Sequence, residues 1–271
     1  MSNDPALWRA LFPVPSPDTH KYKRGHALIL GGARMTGAAR LASMAAMRMG
    51  AGLCTIVADR AAGPVYQGAA PHILYEPLER GDFAAHLADS RRNAVLLGPG
   101  FGREEGEFLQ KAVLTALSGD RAVVLDADAL TVFSGREAAL FASLHERCVL
   151  TPHQGEFESL FGVMEEDPAQ KARRAAAQSG AIIVLKGAET MIAHPDGRMT
   201  SNTHATPYLA TAGAGDVLAG IILGLMAQNM PVYEAACAAV WIHGEAGRRF
   251  GPGLVAPDLI EQIPGILREL T

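Results

Sequence analysis

A run of small residues ends in a carboxylate at Thr211-Ala212-Gly213-Ala214-Gly215-Asp216. Val217, Leu218, Ile221, Ile222 and Leu225 follow at helical spacing, so the glycines stand at a helix N-terminus. Backbone N–H groups there can meet an anion, small side chains let it approach, and the helix dipole favours its charge. A carboxylate beside a bound phosphate would be repelled, which leaves Asp216 in need of a second role. As a base, it would take the proton from a substrate hydroxyl while that oxygen attacks a terminal phosphoryl group. As an ordinary first-turn residue, it would only complement the dipole.

Four further segments carry groups of interest. Thr151-Pro152-His153-Gln154-Gly155-Glu156 joins an imidazole to a carboxylate three residues later. Glu156 either organises a Mg²⁺-bound water or sits in a helix first turn. Asp126 and Asp128 form a carboxylate pair suited to a metal or to helix capping. Lys186-Gly187-Ala188-Glu189-Thr190 suits nucleotide phosphates or ribose, or a plain hairpin connection. Gly98-Pro99-Gly100-Phe101-Gly102 is a ligand-binding turn or simply a tight passage from strand to helix. Gly31-Gly32-Ala33 misses the dinucleotide fingerprint, and no G-x-x-x-x-G-K-[ST] run occurs, so Rossmann and P-loop readings lose their main support. The remaining histidines, and the methionines at 44, 47 and 49, read as helix packing or surface.

Short apolar runs at 27–30, 54–57, 94–97, 122–125, 148–150 and 182–185 read as strands. Helical patterns fall at 38–49, 104–117, 169–179, 217–226 and 233–250. Near-continuous apolar strands alternating with helices predict an α/β fold with a mainly parallel central sheet, covered by helices on both faces. Met191 to Ala193 and the Pro195-Asp196-Gly197 turn predict an antiparallel hairpin. In open sheets of this kind, ligands gather at the carboxyl ends of the strands. The Gly31, Gly98, Thr151 and Lys186 segments each follow a predicted strand, so they converge on one edge. A single domain over 1–271 is expected, with a Pro-rich arm at 1–24.

With 49% hydrophobic and 19% charged residues and a net charge of −4, the composition is globular and shows no basic nucleic-acid footprint. No signal-peptide pattern opens the chain and no apolar stretch is long enough to span a membrane. Cys54, Cys148 and Cys237 are isolated within apolar runs and read as buried reduced thiols. A cytoplasmic protein, with no nucleic-acid or membrane partner, is the expectation.

Taken together and in order, these segments resemble the ADP/ATP-dependent NAD(P)H-hydrate dehydratase family, a branch of the ribokinase-like fold. The resemblance rests on Gly31-Gly32-Ala33 through Thr36-Gly37-Ala38-Ala39, on Met49-Gly50-Ala51-Gly52-Leu53, and on Gly98 to Gly102. It continues through Asp126-Ala127-Asp128-Ala129-Leu130, Thr151 to Glu156, Lys186-Gly187 and Ala214-Gly215-Asp216-Val217-Leu218-Ala219-Gly220. It implies phosphorylation of the hydrated nicotinamide hydroxyl by ADP or ATP with Mg²⁺, then phosphate loss that restores NADH or NADPH from the S-epimer. It implies hydrate contacts at Ala38, Gly100, Phe101, Gly102, His153 and Asp216, with Asp216 as catalytic base. Lys186, Gly187, Ala188, Glu189, Thr190, Gly213, Ala214 and Gly215 are implied for the nucleotide, and Glu156 for metal-bound water. A homo-oligomer, tetrameric in relatives of this type, is also implied. Gln154 stands where the family commonly has Pro, and Ala214 where it has Ser or Thr. Some relatives carry an epimerase domain ahead of these motifs, and none is expected here. A kinase of a thiazole or pyrimidine alcohol, and a non-catalytic nucleotide-binding protein, are the rival readings.

Overall fold

A computed structural model describes residues 1–68, 70–79, 82–102 and 104–271. Among these, nine strands form one sheet: β1 (His26–Leu30), β2 (Leu53–Ala58), β3 (Leu74–Pro77), β4 (Ala94–Leu97), β5 (Ala122–Leu125), β6 (Cys148–Leu150), β7 (Ile182–Leu185), β8 (Thr190–Ala193) and β9 (Met199–Asn202). The helices are α1 (Thr36–Arg48), α2 (Gly63–Gln67), α3 (Ala84–Leu87), α4 (Gly106–Leu117), α5 (Asp128–Thr131) and α6 (Glu137–Phe141). They continue with α7 (Gln154–Phe161), α8 (Pro168–Ser179), α9 (Ala214–Ala227), α10 (Val232–Phe250) and α11 (Ala256–Leu270).

The sheet order is β3-β2-β1-β4-β5-β6-β7-β8-β9, parallel through β7, with β8 and β9 added antiparallel as the predicted hairpin. Strands β1, β2 and β4 to β7 are buried on both faces, and alternate residues feed two cores. Ala27, Ile29, Ile56 and Leu96 face α1, α9, α10 and α11, whereas Leu28, Leu30, Val95 and Leu97 face α4, α7 and α8. This two-sided burial is why the strands read as unbroken apolar runs.

Two packing features set the functional edge. The order reverses at β1, whose neighbours are β2 and β4, and the crevice of such a reversal is where open sheets bind ligands. There the backbones meet so closely that a Cβ on Gly32 would lie 1.9 Å from the Gly100 carbonyl oxygen. In addition, α1 and α9 cross backbone to backbone: a Cβ on Gly220 would lie 2.3 Å from the Ala42 oxygen, and one on Gly224 2.6 Å from that of Ala46. Two facing stripes of small residues thus bring the start of α9 beside the start of α1.

The N-terminal arm is more ordered than the expected irregular segment. It forms short 3₁₀ turns at Pro5–Leu7 and Arg9–Leu11. Trp8 is fully buried against Trp241, 5.9 Å between ring centroids. The three cysteines are free and buried. No helix among the described residues is long and apolar enough to cross a membrane.

Candidate functional site

The α9 helix begins three residues before the predicted position, so Asp216 lies inside its first turn. Gly213 caps it at φ 87, a left-handed conformation that disfavours any side chain with a Cβ. The Ala214 N–H donates to the Thr211 oxygen at 3.3 Å, and the amides that follow it in the first turn have no intrahelical partner. Asp216 is half-buried beside them. Burial, and then the charge of Asp126, push its carboxyl up to about 7, against the opposing pull of Lys186. A carboxyl held there is half-ionised near neutrality and matched to proton transfer.

Lys186 closes β7 and turns inward. Its Nζ lies 2.8 Å from Asp126 Oδ1 and 3.6 Å from Glu156 Oε2. Burial lowers its pKa, but Asp126, Glu156 and Asp216 outweigh that, and the ammonium lies above its ordinary value. Asp126 ends β5, Glu156 follows β6, and Lys186 follows β7. Three adjacent strands and α9 therefore bring one cation and three carboxylates together.

His153 and Glu156 form a reciprocal cap on α7. His153 Nδ1 accepts from the Gly155 and Glu156 N–H groups at 3.0 and 3.3 Å, and Glu156 Oε2 accepts from the His153 N–H at 2.8 Å. With Nδ1 accepting, the ring proton of a neutral imidazole resides on Nε2. The imidazole is exposed, with its Nε2 3.4 Å from Glu156 Oε1 while Nδ1 stays committed to the cap. Glu156 is buried, with its carboxylate already held by the cap and facing Lys186.

The opposite wall comes from Ala38 and the turn after β4. A Cβ on Gly100 would stand 2.9 Å from Ala38 Cβ and 2.4 Å from the Met35 oxygen. Backbone thus faces the start of α1. Phe101 differs: its ring is buried in the α4 side of the core, stacked on Phe108 at 5.9 Å. It also borders a small cavity of about 180 Å³ shared with Gly31 and Ala33.

A larger cavity of about 500 Å³ lies on the far side of the α9 turn. Lys186, Gly187, Ala188, Thr190, Ala214 and Gly215 all line it. Glu189 is exposed and is not part of that wall, and neither is Gly213. The segment from Ala205 to Ala210 covers one side. His243 of α10 also lines it, although the sequence reading treated that histidine as ordinary packing. Its Nε2 lies 2.9 Å from the Ala214 oxygen. Burial pushes its pKa down to about 4, so the neutral ring donates Nε2–H to that carbonyl and braces the α9 turn. Only its helical spacing was visible in the sequence; nothing local marks the contact.

The arrangement suits phosphoryl transfer. A cavity is lined by the start of a helix, and a carboxyl raised to about 7 stands in that first turn. A family model describing NAD(P)H-hydrate dehydratases matches residues 27–264. The bifunctional NAD(P)H-hydrate repair enzyme of Salinibacter ruber is 39% identical over 288 residues, covering 97% of this chain and 52% of that protein. The chain therefore spans about half the length of such bifunctional relatives. An ADP-dependent (S)-NAD(P)H-hydrate dehydratase of Xanthomonas campestris is 34% identical over 279 residues, covering 95% of this chain and 93% of that protein. Among solved structures, the ADP/ATP-dependent NAD(P)H-hydrate dehydratase of Bacillus subtilis, co-crystallised with ATP and Mg²⁺, aligns with TM-score 0.89 and 31% identity. That alignment covers 100% of this chain and 98% of the other.

Proposed function

Since the chain belongs to the NAD(P)H-hydrate dehydratase family and has a ribokinase-like α/β fold, we propose that it dehydrates the S-epimer of NADH or NADPH hydrate at the expense of ADP. The observation that carries this reading is Asp216: a carboxyl raised to about 7 in the first turn of α9, whose Ala214 and Gly215 line the 500 Å³ cavity.

The hydrate binds against Ala38, Gly100, Phe101, Gly102 and His153, with Phe101 contributing its backbone. The nucleotide occupies the large cavity, its phosphates at Gly213, Ala214 and Gly215 and the rest along Lys186 to Thr190. Asp216 takes the hydroxyl proton as that hydroxyl oxygen attacks the terminal phosphorus of the donor. The O–P bond forms, the bridging bond breaks, and AMP leaves when ADP is the donor. The α9 amides meet the charge on the transferred group. The ring nitrogen lone pair then expels phosphate from the hydroxyl-bearing carbon, and loss of a proton from the neighbouring carbon restores the reduced nicotinamide. Lys186 acts in this scheme mainly by holding Asp126 and Glu156 and by limiting how far the Asp216 pKa rises.

No group of three or more His, Cys, Asp or Glu side chains among the described residues is arranged to hold a metal ion alone. Mg²⁺ fits here as a companion of the nucleotide phosphates, whose charge it would neutralise when bound, and Glu156 is the proposed partner of its water. ADP is the preferred donor in this proposal, which also takes the protein to be a cytoplasmic homotetramer. Both follow the family resemblance and are open to direct rate and sedimentation measurements. Product analysis tests the reaction: incubation with ADP, Mg²⁺ and NADH hydrate yields NADH, AMP and orthophosphate in equal amounts. A stable phosphorylated organic product would instead mark a small-molecule kinase.

A further inference from the structure

We propose that Asp128 is a positioning residue for the hydrate, holding the Gly98–Gly102 turn in its binding shape through the Gly102 amide. The turn's own closing bond, from the Phe101 N–H to the Gly98 oxygen at 3.2 Å, reaches only as far as Phe101. Gly98, Gly100 and Gly102 all take positive φ, at 113, 66 and 91°. Gly100 is gripped by Gly32, Met35 and Ala38. At Gly102, one residue beyond that bond, a Cβ would meet nothing within 4 Å. What holds it is a hydrogen bond: the Gly102 N–H donates to Asp128 Oδ2 at 2.8 Å. A bond to a charged acceptor is among the stronger ones a turn can have.

The backbone around Asp128 is shaped for this task. Ala127 has φ 50 and ψ −120. The Ala129 N–H donates to the Asp126 oxygen at 3.1 Å. Those values describe the first corner of a type II′ turn, a place that glycine normally fills. The corner makes neighbouring carboxylates diverge. Asp126 reaches Lys186 on the nucleotide side, and Asp128 reaches Gly102 on the opposite wall. The same corner presses on the start of the glycine turn, since a Cβ on Gly98 would lie 1.8 Å from the Asp126 oxygen. One strained tripeptide therefore grips the turn at both ends, by contact at Gly98 and by hydrogen bond at Gly102. This accounts for Asp128, the member of the carboxylate pair that the phosphoryl-transfer scheme does not use.

The inference rests on the hydrate reading of the Gly100–Gly102 wall, and steady-state kinetics with NADH hydrate and ADP separate the two. Asp128→Ala should raise the hydrate KM about tenfold or more, the scale of a lost hydrogen bond to a charged group, and leave the ADP KM within about twofold. Asp128→Asn keeps an oxygen able to accept from Gly102 and should recover most of the loss. Hydrogen exchange at the Gly102 amide should speed up in the Ala variant and return towards normal in the Asn variant. Equal rises in both KM values, or a lower melting temperature with no change in hydrate KM, would overturn the positioning role. Wild-type protein inactive on the hydrate in the same assay would sink the functional reading, and this inference with it.

Discussion

Replacing Asp216 by Asn should make the protein more stable and nearly inactive at once. In the fold, the Asp216 carboxyl moves from an ordinary 3.8 to about 7, chiefly because ionisation is disfavoured by burial. That displacement corresponds to about 4 kcal/mol of penalty on the ionised form. The direction follows from proton binding. Between 3.8 and about 7 the folded state holds a proton that the unfolded chain has released, so this group favours folding at low pH. The advantage is lost as pH rises through about 7, where the fold must carry a poorly solvated charge. An amide carries no such charge. Calorimetric melting of the ligand-free proteins should show the Asn variant gaining over wild type mainly as pH goes from 5 to 8. Even half of the penalty corresponds to about 5 °C at roughly 2–4 °C per kcal/mol. Turnover should fall about 100-fold or more, the scale of a lost general base. A variant equally or less stable at pH 8, and equally so at pH 5, would refute the burial of an ionisable Asp216. Near-normal turnover would refute its role as base.

For the wild-type enzyme, kcat should rise about tenfold between pH 6 and pH 8, as the Asp216 carboxylate forms around 7; a flat profile would mean an unperturbed carboxyl. Lys186→Met strips the buried Asp126 and Glu156 of their cation, so a loss of about 3 kcal/mol or more is expected in denaturant melts, with the acid limb of the rate profile shifted to higher pH. His153→Ala removes the reciprocal cap on α7 and should cost about 1 kcal/mol. The same variant should weaken hydrate binding more than nucleotide binding, and equal losses of both affinities would leave His153 a purely structural residue.

The sheet was legible because β1, β2 and β4 to β7 are buried on both faces, which makes each an apolar run with turn residues behind it. What escaped lacks that signature. β3 is an edge strand, only partly buried and ended by Pro77. Pro257 and Pro264 interrupt the pattern of α11, yet the helix forms because Leu259, Ile260, Ile263 and Ile266 pack against the core. Helix starts were placed late at α9 because Gly215 and Asp216 lower helical propensity while serving the first turn. At the site, the glycine turns and Asp216 were visible as local patterns. The Lys186–Asp126 pair spans 60 residues, and His243 meets Ala214 across 29. Such contacts exist only once the parallel strands are in register, so no local spacing could announce them.

The central claim is that this site regenerates a reduced nicotinamide by phosphorylating and then dehydrating its hydrate. It is tested most directly by the absorbance of the reduced ring when the purified protein meets (S)-NADH hydrate, Mg²⁺ and ADP, with AMP measured alongside. The account predicts that the reduced-nicotinamide band grows in step with AMP, about one ring restored per nucleotide consumed, and that Asp216→Asn abolishes both. AMP formation with no regained absorbance, or a wild-type protein that leaves the hydrate unchanged, would contradict it.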